Sequence, residues 1–510
     1  MQIDQMESML TQLSQGFYIR QVAVIISLYL LGMITLYAYR DRLECLTRTL
    51  LAFPIGLALW CIGSFILLTI GIPFRLLTII LLIVCFEVVL YAVLRHKERL
   101  VFSREIVIGV LKQELVGLLI VGVIACISVS GLFSVSVSND TMYYYMYYPE
   151  VITQNGQYLP SYDVFLSDVG PLATMIGTLA AMFGFDQTYG IQMFFTIDFI
   201  VVFATAVYDQ AKGPLGKKAY LASAVSTAIL VSATPFVVIS KWILANVYVM
   251  FYSFILLYLA HKLSKEGKKC LIILSVLVSM ISMLRMEGGI VACFMIVCIS
   301  TLDYKKDELL TYLMLPTILI PGLYYYLYFA RFDVHPLYSF LTWPKALLLV
   351  VLMSALAGYL IVLRENLSLI FLRRIRKLIL LALCVGNLCL LMIAPRDYIM
   401  AVKAFAENFL YQQGWGYAII LAVMAFIFLL LLEEKTGWSK QYRPDIEYEE
   451  LIVWGYILVT IAVSYARGGG LRCGIGDSGN RVMLQIIPFL VYALTCKTIR
   501  ILSNQKKKEA

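Results

Sequence analysis

This sequence predicts an all-α fold, a polytopic transmembrane helical bundle with about fifteen spans. Three observations carry the prediction. Hydrophobic residues make up 61% of the 510-residue chain and charged residues only 14%, against about 25% charged in ordinary soluble proteins. Apolar runs recur along nearly the whole sequence, and the mean hydropathy is +0.85. The loops rich in Lys and Arg fall on one side when those runs are counted as successive passes, as the positive-inside rule requires.

Taken in order, the apolar runs lie at 22–39, 48–71, 75–95, 114–133, 187–207, 219–240, 243–261, 270–284, 288–302, 308–329, 346–363, 378–394, 416–432, 450–466 and 482–500. A weaker segment, 171–184, reads as a short or re-entrant helix. The basic loops are Arg40-Asp41-Arg42, Arg95 to Arg99, Lys212 to Lys218, Lys262 to Lys269, Lys305-Lys306, Arg373 to Lys377 and Lys506-Lys507-Lys508. If 171–184 does not cross, all of them are cytoplasmic. The protein is then a multi-pass cell-membrane protein with its N-terminus outside and its C-terminus in the cytoplasm. The first apolar run lacks a basic leader and a small-residue cleavage site, so it reads as a retained helix. Residues 1–510 form one membrane-embedded domain without an internal repeat.

Composition also excludes function classes. The net charge of +9 is spread over loops, so nucleic acid is not a partner. The 11 Cys sit mostly in apolar segments (Cys61, Cys85, Cys126, Cys293, Cys384) and give no disulfide framework; the 3 His are scattered, which disfavours zinc. The acidic segment Glu433 to Glu450 reads as a solvated cytoplasmic connector.

The opposite, outer face collects the polar segments that can carry chemistry. The first, 134–170, contains Asn139, Asp140 and the run Tyr143, Tyr144, Tyr147 and Tyr148. Asp140 suits a helix cap and equally a general base at the mouth of a cavity. The tyrosines suit an interfacial belt, and Tyr144 among them is a candidate substrate contact. Asp163 and Asp168 can share a divalent metal with Asp140, orient an acceptor, or simply be solvated turn residues.

Further on, Arg285 and Glu287 interrupt an otherwise apolar run. Charges there are costly and tend to face a cavity or each other. They form either a snorkelling helix-end pair or a ligand-binding pair. The Arg/Gly-rich outer loop 466–481 holds Arg467, Arg472 and Arg481. The planar fork of Arg suits phosphate, and glycines let backbone N–H groups approach an anion. The same loop also suits plain membrane anchoring.

The order of these features resembles the first outer loop of GT-C fold glycosyltransferases, the multi-pass enzymes that take sugars from polyprenyl-phosphate carriers. An apolar helix runs into Asn139-Asp140-Thr141 and an aromatic run. Gln154-Asn155-Gly156-Gln157-Tyr158-Leu159-Pro160 follows, then Gly170-Pro171 and a short helix ending at Phe183-Gly184-Phe185-Asp186. Arg285-Met286-Glu287-Gly288 and Asn480-Arg481 before Pro488 look like later parts of the same family. Thr141 departs from it, since many relatives carry Glu there. The resemblance implies a GT-C-like bundle whose first outer loop forms short juxtamembrane helices. It implies inverting transfer from a lipid-linked sugar donor to an extracytoplasmic glycan, lipid or polymer, within membrane lipids. Asp140 would be the catalytic base. Arg285, Arg472 and Arg481 would hold the donor phosphate, with Glu287, Asp163, Asp168 and Tyr144 as further substrate contacts. No cofactor is certain, and a divalent metal stays open. Two other readings are an O-antigen-type polysaccharide polymerase or ligase, and a transporter or flippase using Glu87 and Asp198, the acids within predicted spans.

Overall fold

The computed structural model describes residues 17–40, 43–95, 104–129, 141–157, 170–183, 189–264, 271–285, 287–326, 343–363, 369–410, 415–435, 446–466 and 478–509. These residues are helical, with no β-strand among them. Every apolar run picked out above contains a helix.

The first helices are α1 (Phe17–Tyr37), α2 (Cys45–Ile70), α3 (Leu76–Arg95) and α4 (Arg104–Val129). α1 and α2 cross on glycine. A Cβ on Gly32 would lie 1.7 Å from the Ala52 carbonyl oxygen, and one on Gly56 would lie 1.9 Å from that of Leu28. Only a residue without a side chain lets the two backbones meet so closely. Glu87 of α3 accepts a hydrogen bond from the Thr35 hydroxyl of α1.

A π-helical stretch, Thr141–Tyr147, then runs into α5 (Tyr148–Asn155), which ends on Gly156 at φ 69°. This helix is short, with 8 residues. α6 (Pro171–Met182) has only 12 residues, about 18 Å at the helical rise. It is short, as expected, and almost wholly buried.

α7 (Tyr189–Leu215) and α8 (Ala219–Ser232) lie in one apolar stretch, Gly190–Ser232. The chain reverses at Gly216 (φ 56°), and the helices pack antiparallel. Ser223 Oγ donates to the Ala204 carbonyl at 2.7 Å, and the Tyr208 and Tyr220 rings lie 4.8 Å apart. α9 (Thr234–Ser240) follows a break at Ala233. Pro235, in its first turn, cannot continue the hydrogen-bond ladder of α8. α10 (Ala245–Leu263) is the central helix. Its Tyr248, Phe251, Tyr252 and Phe254 pack against Phe195, Phe199 and Phe203 of α7.

α11 (Leu271–Leu284) and α12 (Gly288–Ser300) form a buried hairpin. α13 (Lys306–Leu309), a π-helical turn (Leu310–Met314) and α14 (Leu315–Tyr325) form the next helical segment. α15 (Trp343–Leu363), α16 (Leu369–Ile393) and α18 (Gly416–Lys435) are peripheral and largely exposed along apolar faces. Between the last two lies the amphipathic α17 (Pro395–Leu410). It packs on α19 (Tyr448–Ala466) and on α20 (Ser478–Met483). α21 (Ile487–Glu509) closes the bundle against α7, α18 and α19.

By length and composition, 7 of the described helices can cross a membrane. Shorter apolar helices accompany them, among them Leu76–Ala92, Leu115–Ser128, Leu271–Leu284 and Gly288–Ser300. α11, with 14 residues, is about 21 Å long, short of a hydrocarbon core of about 30 Å. The two apolar runs 270–284 and 288–302 are the arms of one hairpin.

The bundle has two chemically different ends. Basic residues gather at one of them: Lys212 reaches Glu44, Lys262 reaches Thr47, Arg48 reaches the Arg40 carbonyl, and Arg376 reaches Thr301. Asp209 binds Lys262 at 2.7 Å and Lys212 at 3.0 Å, and Tyr258 donates to it at 2.7 Å. Residues 446–450 at the same end correct the solvated-connector reading. Glu449 and Glu450 are buried. Glu450 pairs with Lys497 at 2.6 Å and Glu449 with Arg500 at 2.8 Å. Arg376 reaches Thr301 and the Ile446 carbonyl. This clasp ties α10, α12, α16, α19 and α21 together.

Candidate functional site

The other end is organised around the hairpin tip. The apolar arms α11 and α12 are interrupted by Arg285 and Glu287, and Gly288 makes the reversal possible. A Cβ on Gly288 would lie 2.3 Å from the Ile281 carbonyl oxygen. The turn closes through Gly288 N–H to Arg285 O at 2.9 Å, and Glu287 O accepts from Val291 N–H at 3.2 Å.

At this tip Arg285 is held from two sides. Its Nε donates to Glu287 Oε1 at 2.5 Å, and its Nη1 donates to Asn246 Oδ1 in the first turn of α10. The Arg285 side chain is 19% exposed and that of Glu287 is 7% exposed. Asn246 is buried. An ion pair this deep gains full Coulombic strength only because further hydrogen bonds fix its geometry. A guanidinium fixed in this way meets a planar oxyanion without first losing rotamer freedom.

Neighbouring elements converge on the same point. The start of α6 abuts the tip, and a Cβ on Gly170 would lie 2.1 Å from the Met283 carbonyl oxygen. α10 begins at Ala245, whose N–H donates to the Tyr145 hydroxyl at 2.6 Å. α12 begins at Gly288. Three helix N-termini, each with partial positive charge, therefore surround Arg285.

The tyrosine helix is positioned through Tyr145, which is 3% exposed. Gly177 of α6 lets it approach: a Cβ there would lie 2.6 Å from the Tyr145 carbonyl oxygen. Tyr144 is half-buried and stacks on Tyr148 with ring centroids 6.2 Å apart. Tyr147 is 55% exposed.

From the other side, Tyr456 of α19 donates to Gln485 Oε1 at 2.6 Å. Gln485 is four residues beyond Arg481, which is half-buried on α20. The structure thus brings Arg285 and Glu287 together, and Tyr456 links the arm that follows them to the turn after Arg481. Asp140, Asp163, Asp168 and Arg472 lie outside the described residues. Among the described residues no group of three or more His, Cys, Asp or Glu side chains is placed to hold a metal. Glu87 is paired with Thr35, and Asp198 is buried midway along α7.

Sequence reasoning missed Asn246, Tyr145, Tyr456 and Gln485. Asn246 had a signal, being a lone amide at the start of an apolar run. Lone intramembrane polar groups seek partners inside the bundle. No family model, curated protein or solved structure matches this chain.

Proposed function

We propose that this chain is a membrane glycosyltransferase of the GT-C type. It transfers a sugar, with inversion, from a polyprenyl-phosphate carrier to an extracytoplasmic glycan, lipid or polymer. The observation that carries this reading is the arrangement of Asn246, Arg285 and Glu287: a fixed guanidinium ringed by helix N-termini at one end of an apolar bundle. That is the chemistry a lipid-linked phosphate needs for binding and for stabilisation as it leaves.

In this reading the hairpin-tip end faces outward and the clasp end faces the cytoplasm. Arg481 and Arg472 join Arg285 at the phosphate. An acceptor hydroxyl attacks the anomeric carbon, the bond to the carrier phosphate oxygen breaks, and Asp140 takes the hydroxyl proton. Polyprenyl phosphate is released. A divalent metal shared by Asp140 with Asp163 or Asp168 is compatible with this scheme, and chelation tests it.

The deciding experiment incubates the purified full-length chain with polyprenyl-phosphate sugars and follows release of polyprenyl phosphate. Release by the wild type, lost in both Arg285→Gln and Asp140→Asn, supports the reading. An Asp140→Asn variant that keeps full glycan modification in cells removes Asp140 from it. A second reading, transport or lipid flipping, is favoured by the buried carboxyl groups of Asp198 and Glu87. Uptake of a labelled substrate into vesicles, unaffected by Arg285→Gln, would replace the first reading with that one.

A further inference from the structure

One buried contact joins the hairpin to the segment bearing Arg481. Tyr456, midway along α19, is 1% exposed. Its ring stacks on Phe294 of α12 with centroids 5.9 Å apart and planes 6° from parallel. It also meets Phe489 of α21 edge-on at 6.3 Å. With the ring held in this way, its hydroxyl is aimed at Gln485 Oε1, 2.6 Å away.

Gln485 is itself buried, in the turn between α20 and α21. That turn closes through Gln485 N–H to Val482 O at 3.1 Å and Ile486 N–H to Met483 O at 2.9 Å. α20 has only 6 residues, too few to be stable by its own ladder. Its place depends on α17, which packs on it, and on what grips the turn that follows it. Phe294 belongs to the arm that rises to Glu287 and Arg285, and Gln485 belongs to the turn that follows Arg481. Tyr456 touches both.

We propose that Tyr456 and Gln485 are positioning residues that set Arg481 relative to Arg285, so that two guanidinium groups close on one lipid-linked phosphate. The proposal rests on the phosphate-site reading above. The Tyr456–Gln485 bond contributes no group to the phosphate itself. It fixes a distance between two cations, and small errors in such a distance are costly to binding.

The test uses the full-length chain in lipid nanodiscs, with polyprenyl phosphate as the binding probe and its sugar-loaded form as substrate. Tyr456→Phe keeps the ring and deletes the bond. Gln485→Leu deletes the same bond from the other side, so the test survives if one variant fails to fold. Each variant is expected to weaken polyprenyl phosphate binding and raise KM by about tenfold, the scale of one buried hydrogen bond, with kcat within about twofold. The double variant is expected to be no worse than either single one. Wild type that binds and variants that bind equally well overturn the positioning role alone. A fall in kcat and thermal stability with KM unchanged overturns it too, because that is a merely structural effect. Wild type that binds no polyprenyl phosphate overturns the phosphate-site reading beneath it.

Discussion

The guanidinium of Arg285 is held by the side-chain oxygen of Asn246, 39 residues earlier in the chain. The contact fixes the tip of the α11–α12 hairpin to the first turn of the central helix α10. The pairing of Arg285 with Glu287 is local, but its orientation is decided from α10.

Replacing Asn246 by Ala should therefore act on Arg285 without touching its charge. A hydrogen bond to a charged group is worth about 1.5–3 kcal/mol, so turnover of the lipid-linked donor should fall about 10- to 100-fold. Steady-state assays of Asn246→Ala beside Asn246→Asp check this. The Asp variant should retain binding of the guanidinium and more of the activity.

Glu287→Gln should destabilise the fold more than it changes local shape. Removing one partner of a buried ion pair costs about 3–5 kcal/mol, whereas replacing both is close to neutral. Thermal unfolding in detergent should show a lowered Tm for Glu287→Gln. Most of that loss should be recovered in the Arg285→Gln/Glu287→Gln double variant, which should stay inactive. An equally low Tm in both would refute the pairing as the cause.

Gly288→Ala should be costly because the added Cβ meets backbone, the carbonyl oxygen of Ile281 at 2.3 Å. Overpacking against atoms that cannot rotate away costs about 1–3 kcal/mol. Gly322 on α14 is the control, since a Cβ there meets nothing within 4 Å. Gly322→Ala should leave Tm unchanged or slightly raised, as Ala is the better helix former.

At the opposite end, Lys497→Met should leave Glu450 buried without its 2.6 Å partner. We expect a loss of about 3–5 kcal/mol, read as a lower Tm. Donor KM in the folded fraction should be unchanged, because the clasp lies at the other end of the bundle. A Glu450→Gln/Lys497→Met double variant should recover most of the loss.

Much of this was legible because local patterns determine it. Apolar runs mark the helices, Pro171 and the polar residues before it mark the short α6, and Arg285 with Glu287 marks the tip. The remainder depends on contacts between distant segments. Asn246 is marked only as a lone amide at the start of an apolar run, and Gln485 looks like an ordinary polar residue, until α11 and α19 are placed beside them. Tyr145, not Tyr144, faces inward because of helix phase, which a run of adjacent tyrosines does not reveal. Glu449 and Glu450 resemble a solvated acidic loop, and only Arg500 and Lys497, 51 and 47 residues later, account for their burial. Asp140, Asp163, Asp168 and Arg472 lie outside the described residues, so the catalytic half of the resemblance stands on sequence.

The clasp also bears on how the chain is made. α1 and α2 can engage through their glycine crossing as soon as both have been synthesised, because the contact is local in sequence. The clasp closes only when α21 arrives, since Lys497 and Arg500 both belong to it. A chain shortened before residue 497 would leave Glu449 and Glu450 as buried acids without those cations. Neutralising the acids at one end thus waits on synthesis as far as Arg500.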